Sequence, residues 1–138
     1  MLSFRAEITI RSEKRVEVID ISQHVAEVCS RSGIQNGIAL IFPRQSSSAV
    51  YVSDCHRALT DDFSAIIAEL APENRYYQHD QAENKKNAAA HLRAILTGHH
   101  VTIPVTDGSP DLGPYQTIYY AEFDGQRDKG VIIKIVGE

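Results

Sequence analysis

Four of the six histidines, His79, His91, His99 and His100, fall within one stretch of 22 residues, and Glu122, Asp124 and Arg127 follow shortly after. Imidazole is the commonest transition-metal ligand and titrates near neutrality, so this concentration points to metal binding or acid–base work. Glu122 and Asp124 stand two apart in an extended run and are expected on one face, where paired carboxylates take an ion or raise one another's pKa. Arg127, past the Asp124-Gly125 turn, offers a bidentate grip on phosphate or carboxylate. Each feature also has an ordinary reading: hydrogen-bonded or surface histidines, and a solvated hairpin tip with a surface ion pair.

Two other groups carry weaker chemistry. Gln45-Ser46-Ser47-Ser48 can present a carboxamide and hydroxyls to an anion, yet it has the form of neither a P-loop nor a nucleophile elbow. Cys55-His56 pairs a thiol with a base, but neighbours on an extended chain point to opposite sides. The spacing of His79 and His91 leaves two geometries open. One continuous helix would separate them by about 18 Å of rise, too far to share an ion. A helix beginning after an Asn87 N-cap would leave Asp80 to Lys86 as a loop that returns His79 to the first turn. Asp80-Gln81-Ala82-Glu83 is a competing capping box for the longer helix.

The elements that must hold these residues follow from periodicity. Phe4 to Ile10 and Arg15 to Ile19 alternate as strands around Ser12-Glu13-Lys14. Asp20-Ile21-Ser22-Gln23 reads as a capping box for a helix with Ile21, Val25, Val28 and Cys29 on one face and Gly33 as its stop. Asn36 to Phe42, apolar enough to be covered on both faces, and Ser48 to Ser53 are strands. A second helix carries Leu59, Phe63, Ile66, Ile67 and Leu70 on its buried face and stops at Pro72. A third has a stripe of Ala88 or Ala89, Leu92, Ile95 and Leu96 and an αL cap at Gly98. Val101 to Val105 is a strand and Asp107 to Pro114 a loop; Tyr115 to Phe123 and Lys129 to Val136 form a hairpin across Asp124-Gly125. Short turns between strands imply mainly antiparallel pairing: an α+β fold with about three helices in one domain spanning 1–138.

Composition narrows the partners. The chain has 138 residues, 43% of them hydrophobic, enough for one core without staples. Its formal charge of −4 argues against nucleic acid or an anionic membrane as the main partner. There is no membrane-spanning apolar run or signal-like N-terminal block, so the expected compartment is the cytoplasm. Cys29 and Cys55, 26 positions apart, are expected to be reduced thiols.

Taken jointly, Tyr77-x-His79-Asp80, Asn87-Ala88-Ala89-Ala90-His91-Leu92, Gly98 before Val101-Thr102-Ile103-Pro104-Val105, Asp111-Leu112-Gly113-Pro114-Tyr115-Gln116-x-Ile118 and Glu122-Phe123-Asp124-Gly125-x-Arg127 occur in a specific order. In that order and spacing the chain resembles the YjbQ family, also called secondary thiamine-phosphate synthase enzymes, most densely over residues 76–136. The resemblance implies a small α+β subunit with a split, largely antiparallel sheet, assembled as a homotrimer with pockets near subunit contacts. It implies a metal or anion site near two histidines. It also implies a weak transferase activity that joins a pyrimidine diphosphate to a thiazole phosphate, so the expected partner is a phosphorylated small molecule.

Carried over by position, the resemblance gives His79 and His91 as metal ligands, with zinc or magnesium as the expected ion. His91, Glu122 and Arg127 become the catalytic candidates, and Gln45, Ser46, Asn87, Asp124 and Lys129 the ligand-binding ones. The chain departs from the pattern at Gln45-Ser46-Ser47-Ser48, where the family has His-Thr-Thr-Ala, and at Asp54, Tyr115 and Gln126-Arg127-Asp128-Lys129. A carboxamide is a poor zinc ligand, and Lys129 in place of arginine loses the bidentate fork. The alternative expectation is a non-catalytic binding or assembly module that keeps the scaffold with a degenerate site.

Overall fold

Strands that follow one another in this chain mostly do not pair with one another. A computed structural model describes residues 1–138. It contains β1 (Leu2–Ile10), β2 (Glu17–Asp20), α1 (Ser22–Ser32), β3 (Gly37–Pro43), β4 (Ser48–Asp54), α2 (Arg57–Leu70), α3 (Gln78–Glu83), α4 (Ala88–Thr97), β5 (Val101–Thr106), β6 (Ser109–Pro110), β7 (Gln116–Glu122) and β8 (Lys129–Gly137). One sheet has the order β1-β8-β3-β5-β6 and the other β2-β7-β4. Every pairing is antiparallel, so the fold is α+β with a split sheet, as expected, and has four helices where about three are expected. No helix is long and apolar enough to cross a membrane.

The successive pairs β1/β2, β3/β4 and β7/β8 are each divided between the two sheets. This corrects the expected hairpin at Asp124-Gly125: the segment is a crossover. The two-residue hairpin lies instead at Asp107-Gly108, inside the stretch read as a loop, where Thr106 pairs with Ser109. Both turn residues there have positive φ, 51° and 78°, as a type I′ turn requires. At the crossover the positive φ belongs to Gln126. Gly125 serves close approach there, since a Cβ would sit 1.9 Å from Ser12 Oγ and 2.6 Å from Glu122 Cγ.

The main core lies between the two sheets and α1, with Val25, Val28 and Cys29 meeting Ile41, Ile118, Tyr120, Ile133 and Ile135. A smaller core holds α2 and α4 against the other face of the three-stranded sheet through Ile67, Ala90, Ala94, Ala49, Ala121 and Phe123. β7 is therefore the strand covered on both faces. β3 is not, contrary to expectation: Ala39 and Ile41 are buried, whereas Ile38 is 49% exposed and Phe42 36%. The physical reason is that no helix of this chain packs on the outer face of the five-stranded sheet.

Several helix expectations also change. α1 has no side-chain cap; Asp20 accepts from Ser22 N, and Ser22 Oγ accepts from Ile118 N, tying the helix to β7. Gly33 does close α1 in the αL conformation. Gly98 has positive φ but an extended ψ of 117°, outside αL. In α2, Ile67 is buried and Phe63 packs beside it, but Leu59, Ile66 and Leu70 face outward. α4 is turned the same way: Ala88, Ala89, Ala90 and Ala94 are buried, and Ile95 is 72% exposed beside Leu92 and Leu96. Alanines win the inner face because α4 lies close against the small Ala49 and Ala121 of the sheet.

Candidate functional site

Splitting three successive strand pairs between two sheets brings three crossovers to one corner. The β7–β8 crossover is stitched to the β1–β2 crossover by Gly125 N donating to Arg15 O (2.8 Å) and Gln126 N to Ser12 Oγ (3.0 Å). It is stitched to the β3–β4 crossover by Phe123 N donating to Ser47 O (3.1 Å). Polar residues far apart in sequence are thereby concentrated at the place where the sheets diverge.

Inside the corner, Lys129 Nζ donates to Glu122 Oε2 (2.7 Å) and Ser47 Oγ (2.9 Å), and Tyr120 Oη donates to Glu122 Oε1 (2.9 Å). Glu122 is 1% exposed and Lys129 2%. Burial, with the Glu122 carboxylate as a further contributor, pushes the Tyr120 hydroxyl far above its ordinary range. Sequence spacing expected Glu122 and Asp124 on one face. The strand ends at Glu122, however, and Asp124 turns outward with only its backbone N donating to Glu122 Oε2 (3.2 Å).

Outside the corner lies a cleft of about 730 Å³, lined by Arg15, Glu73, Asp80, Lys85, Lys86, Asn87, Asp124 and Arg127 among others. Asp124 is held between two guanidinium groups, Arg15 Nε at 3.2 Å and Arg127 Nη2 at 3.0 Å. Arg15 also donates to Glu73 and to Lys86 O (3.4 Å). Its pKa is held above the usual arginine value, chiefly by the Glu73 bond. Asn87 precedes α4, but its side chain does not cap the helix; Asp80 reaches back from α3 and accepts from Ala88 N at 2.9 Å. The freed Asn87 Oδ1 is buried without a hydrogen-bond partner.

A second hollow, of about 350 Å³, is lined by Ser46, His79, His91, Ala94, Ile95 and His99. Of the two geometries left open by sequence, the structure has the broken one, with α4 starting after Asn87 and the rings of His79 and His91 5.1 Å apart edge to face; the intervening segment is not all loop as expected, because Gln78–Glu83 forms the separate α3. His91 Nδ1 is 3.1 Å from Ser46 O, His99 Nε2 is 3.2 Å from Gln45 O, and His79 Nδ1 is 3.7 Å from Asp80 Oδ1.

The first two contacts fix one ring nitrogen each of His91 and His99, while His79 lies beyond hydrogen-bond distance of Asp80. A structural or catalytic zinc takes at least three protein ligands. No group of three or more His, Cys, Asp or Glu is placed to hold an ion. Gln45 contributes its backbone carbonyl, while its side-chain Oε1 is buried without a partner. The donors of this one chain therefore do not complete a zinc shell.

A family model described as "UPF0047 protein YjbQ-like" matches residues 6–138. The chain belongs to the YjbQ family. Relatives in the YjbQ family include a UPF0047 protein of Methanothermobacter thermautotrophicus, 38% identical over 135 residues that cover 98% of this chain and 93% of that one. The YugU protein of Bacillus subtilis is 29% identical over 132 residues, 94% of this chain and 97% of that one. A crystal structure of a YbjQ-like protein of unknown function from Sulfolobus solfataricus superposes with a TM-score of 0.93 at 31% identity, covering 99% of both chains.

Within this YjbQ fold the residues singled out by sequence fall into three places. Asn87, Asp124 and Arg127 share the charged cleft; Ser46, His79 and His91 share the histidine hollow; Glu122 and Lys129 are sealed together in the corner. The three catalytic candidates, His91, Glu122 and Arg127, are thus in three different surroundings. Sequence reasoning missed Arg15, Glu73 and Lys86. Arg15 stands 109 positions from Asp124, and no local spacing signals such a contact.

Proposed function

We propose that the charged cleft binds a phosphorylated small molecule. The supporting observation is that Lys85 and Lys86 line it with no carboxylate within ion-pair distance, next to two arginines already converging on Asp124. Two uncommitted ammonium groups and an arginine suit a ligand of two or more negative charges. In a chain of net charge −4 this local surplus is selective. The reaction proposed for the cleft is transfer with pyrophosphate as leaving group, the thiamine-phosphate-forming step implied by the family resemblance. Arg127 and the lysines would neutralise the departing charge. The metal expected at His79 and His91 takes no part in this reading, since their donor set is incomplete.

Pyrophosphate titration by calorimetry tests binding. Affinity should fall at least about tenfold in a Lys85→Ala/Lys86→Ala double variant, the size of one lost charge-assisted contact. Unaltered affinity would sink the reading. Growth of a thiamine-phosphate-synthase-deficient strain carrying this chain tests transfer.

A second reading, a binding or assembly module without catalysis, is favoured by the burial of Glu122 and Lys129 and by the separation of His91 from Arg127. Pyrophosphate binding without rescue would select it. Assembly as a homotrimer is part of either proposal. Two unlike apolar faces support it: Ile38 and Phe42 on the five-stranded sheet, and Leu92, Ile95 and Leu96 on α4. Unlike patches suit head-to-tail contacts that close into a ring. Light scattering of the wild type and of Phe42→Asp measures this, a monomeric wild type being the outcome against it. Residence in the cytoplasm is likewise proposed, on the composition of the chain, and fractionation tests it.

A further inference from the structure

Arg15 has no role in any motif, yet its guanidinium is the most connected group of the cleft. It uses three edges on three separate segments: Nε on Asp124 of the β7–β8 crossover, Nη1 on Glu73 beyond α2, and Nη2 on the carbonyl of Lys86 before α4. Its own backbone is fixed, because Arg15 O accepts from Gly125 N at 2.8 Å. Through Asp124 the clamp extends to Arg127, and through Lys86 it reaches one of the two uncommitted lysines of the cleft.

We propose that Arg15 is the positioning residue of the anion cleft: it fixes Arg127 through Asp124 and holds the Lys85–Lys86 segment in place, so that cations from distant parts of the chain converge on one ligand. The inference rests on the reading of the cleft as an anion site. A planar guanidinium with donors on three edges can hold three acceptors at fixed angles, whereas an ammonium on a flexible stem supplies charge without that geometry. Charge alone at position 15 is therefore insufficient. The ligand sees an assembled set of cations only while Arg15 is engaged with Glu73, Asp124 and Lys86.

The test compares wild type, Arg15→Lys and Arg15→Met as full chains, with pyrophosphate titrations and with hydrogen exchange over residues 84–88 in the absence of ligand. Arg15→Lys keeps the charge and guards against a variant that merely fails to fold. Both variants should bind pyrophosphate at least about tenfold more weakly, the loss expected when a charge-assisted network that pre-organises a site is dismantled. Both should also exchange faster at 84–88. An Arg15→Lys variant that matches wild type in affinity overturns the proposal, because charge would then suffice. Unchanged exchange at 84–88 in both variants overturns it as well. Should wild type bind no pyrophosphate, the cleft reading fails by itself, and the exchange comparison still decides whether Arg15 holds the segment.

Discussion

The corner where the two sheets diverge carries two sets of charges a few residues apart, and they behave in opposite ways. Lys129 and Glu122 are sealed from solvent and bonded to one another, Ser47 and Tyr120. Arg15, Asp124 and Arg127 stand in an open cleft, paired with one another but partly exposed to solvent. Sequence spacing treats Glu122 and Asp124 as equivalent carboxylates. Burial makes one a core group and leaves the other at the cleft wall, holding two arginines.

The largest expected effect follows from the sealed set. Glu122→Ala strands a buried ammonium, and breaking such a pair costs about 3–5 kcal/mol. Urea denaturation should register that loss, and a variant within about 1 kcal/mol of wild type would mean that the pair is not sealed. The double change Glu122→Leu/Lys129→Met removes both charges and should recover much of the deficit, since a buried pair contributes little over apolar groups of similar size.

The open set predicts the reverse pattern. Arg127→Ala removes an exposed ion pair and should alter stability by less than about 1 kcal/mol. In the same variant, pyrophosphate affinity should drop about tenfold by calorimetry. A large stability loss without an affinity change would erase the distinction between the two sets.

How much of this was legible in the sequence depended on whether the signal was local. Strand alternation in β1 and the glycine stop of α1 follow from near-neighbour sterics, and the structure has them. The Asp-Gly signal failed at residues 124–125 because it reports a chain able to turn, without saying whether the flanking strands share a sheet. At residues 107–108 the same dipeptide does close a hairpin. The outward turn of α4 was not legible, because hydrophobic periodicity cannot tell a face that needs small side chains from one that needs large ones. The joint order of the motifs was strong enough to give the family. The division of its residues among core, cleft and hollow needed the crossovers, which are contacts between positions more than 100 apart.

Alkali should separate the two sets by a smaller effect. Unfolded tyrosine loses its proton at about pH 10. Folded Tyr120 and Tyr51 hold theirs to higher pH, chiefly because burial disfavours the phenolate. Above the unfolded pKa the unfolded chain therefore binds fewer protons than the folded one, and stability falls as pH rises. It is fully present below about pH 10. Denaturation midpoints should decline above that pH in wild type. In Tyr120→Phe, which keeps the ring and removes the group that titrates late, the decline should be shallower. An identical decline in Tyr120→Phe would show that the hydroxyl is not sealed with Glu122.

The smallest effect concerns the thiols, which repeat the contrast in miniature away from the corner. Cys29 lies in the main core and burial raises its pKa, which suppresses the reactive thiolate; Cys55 is exposed just before α2. A thiol reagent at neutral pH should modify Cys55 promptly and leave Cys29 unmodified until the chain unfolds. The Cys29 labelling rate then becomes a measure of how often the main core opens. Because Glu122→Ala weakens the fold through the sealed pair, it should accelerate that labelling, whereas Arg127→Ala should leave it near the wild-type rate. Equal acceleration by both would mean that the cleft contributes to the core as much as the sealed pair does.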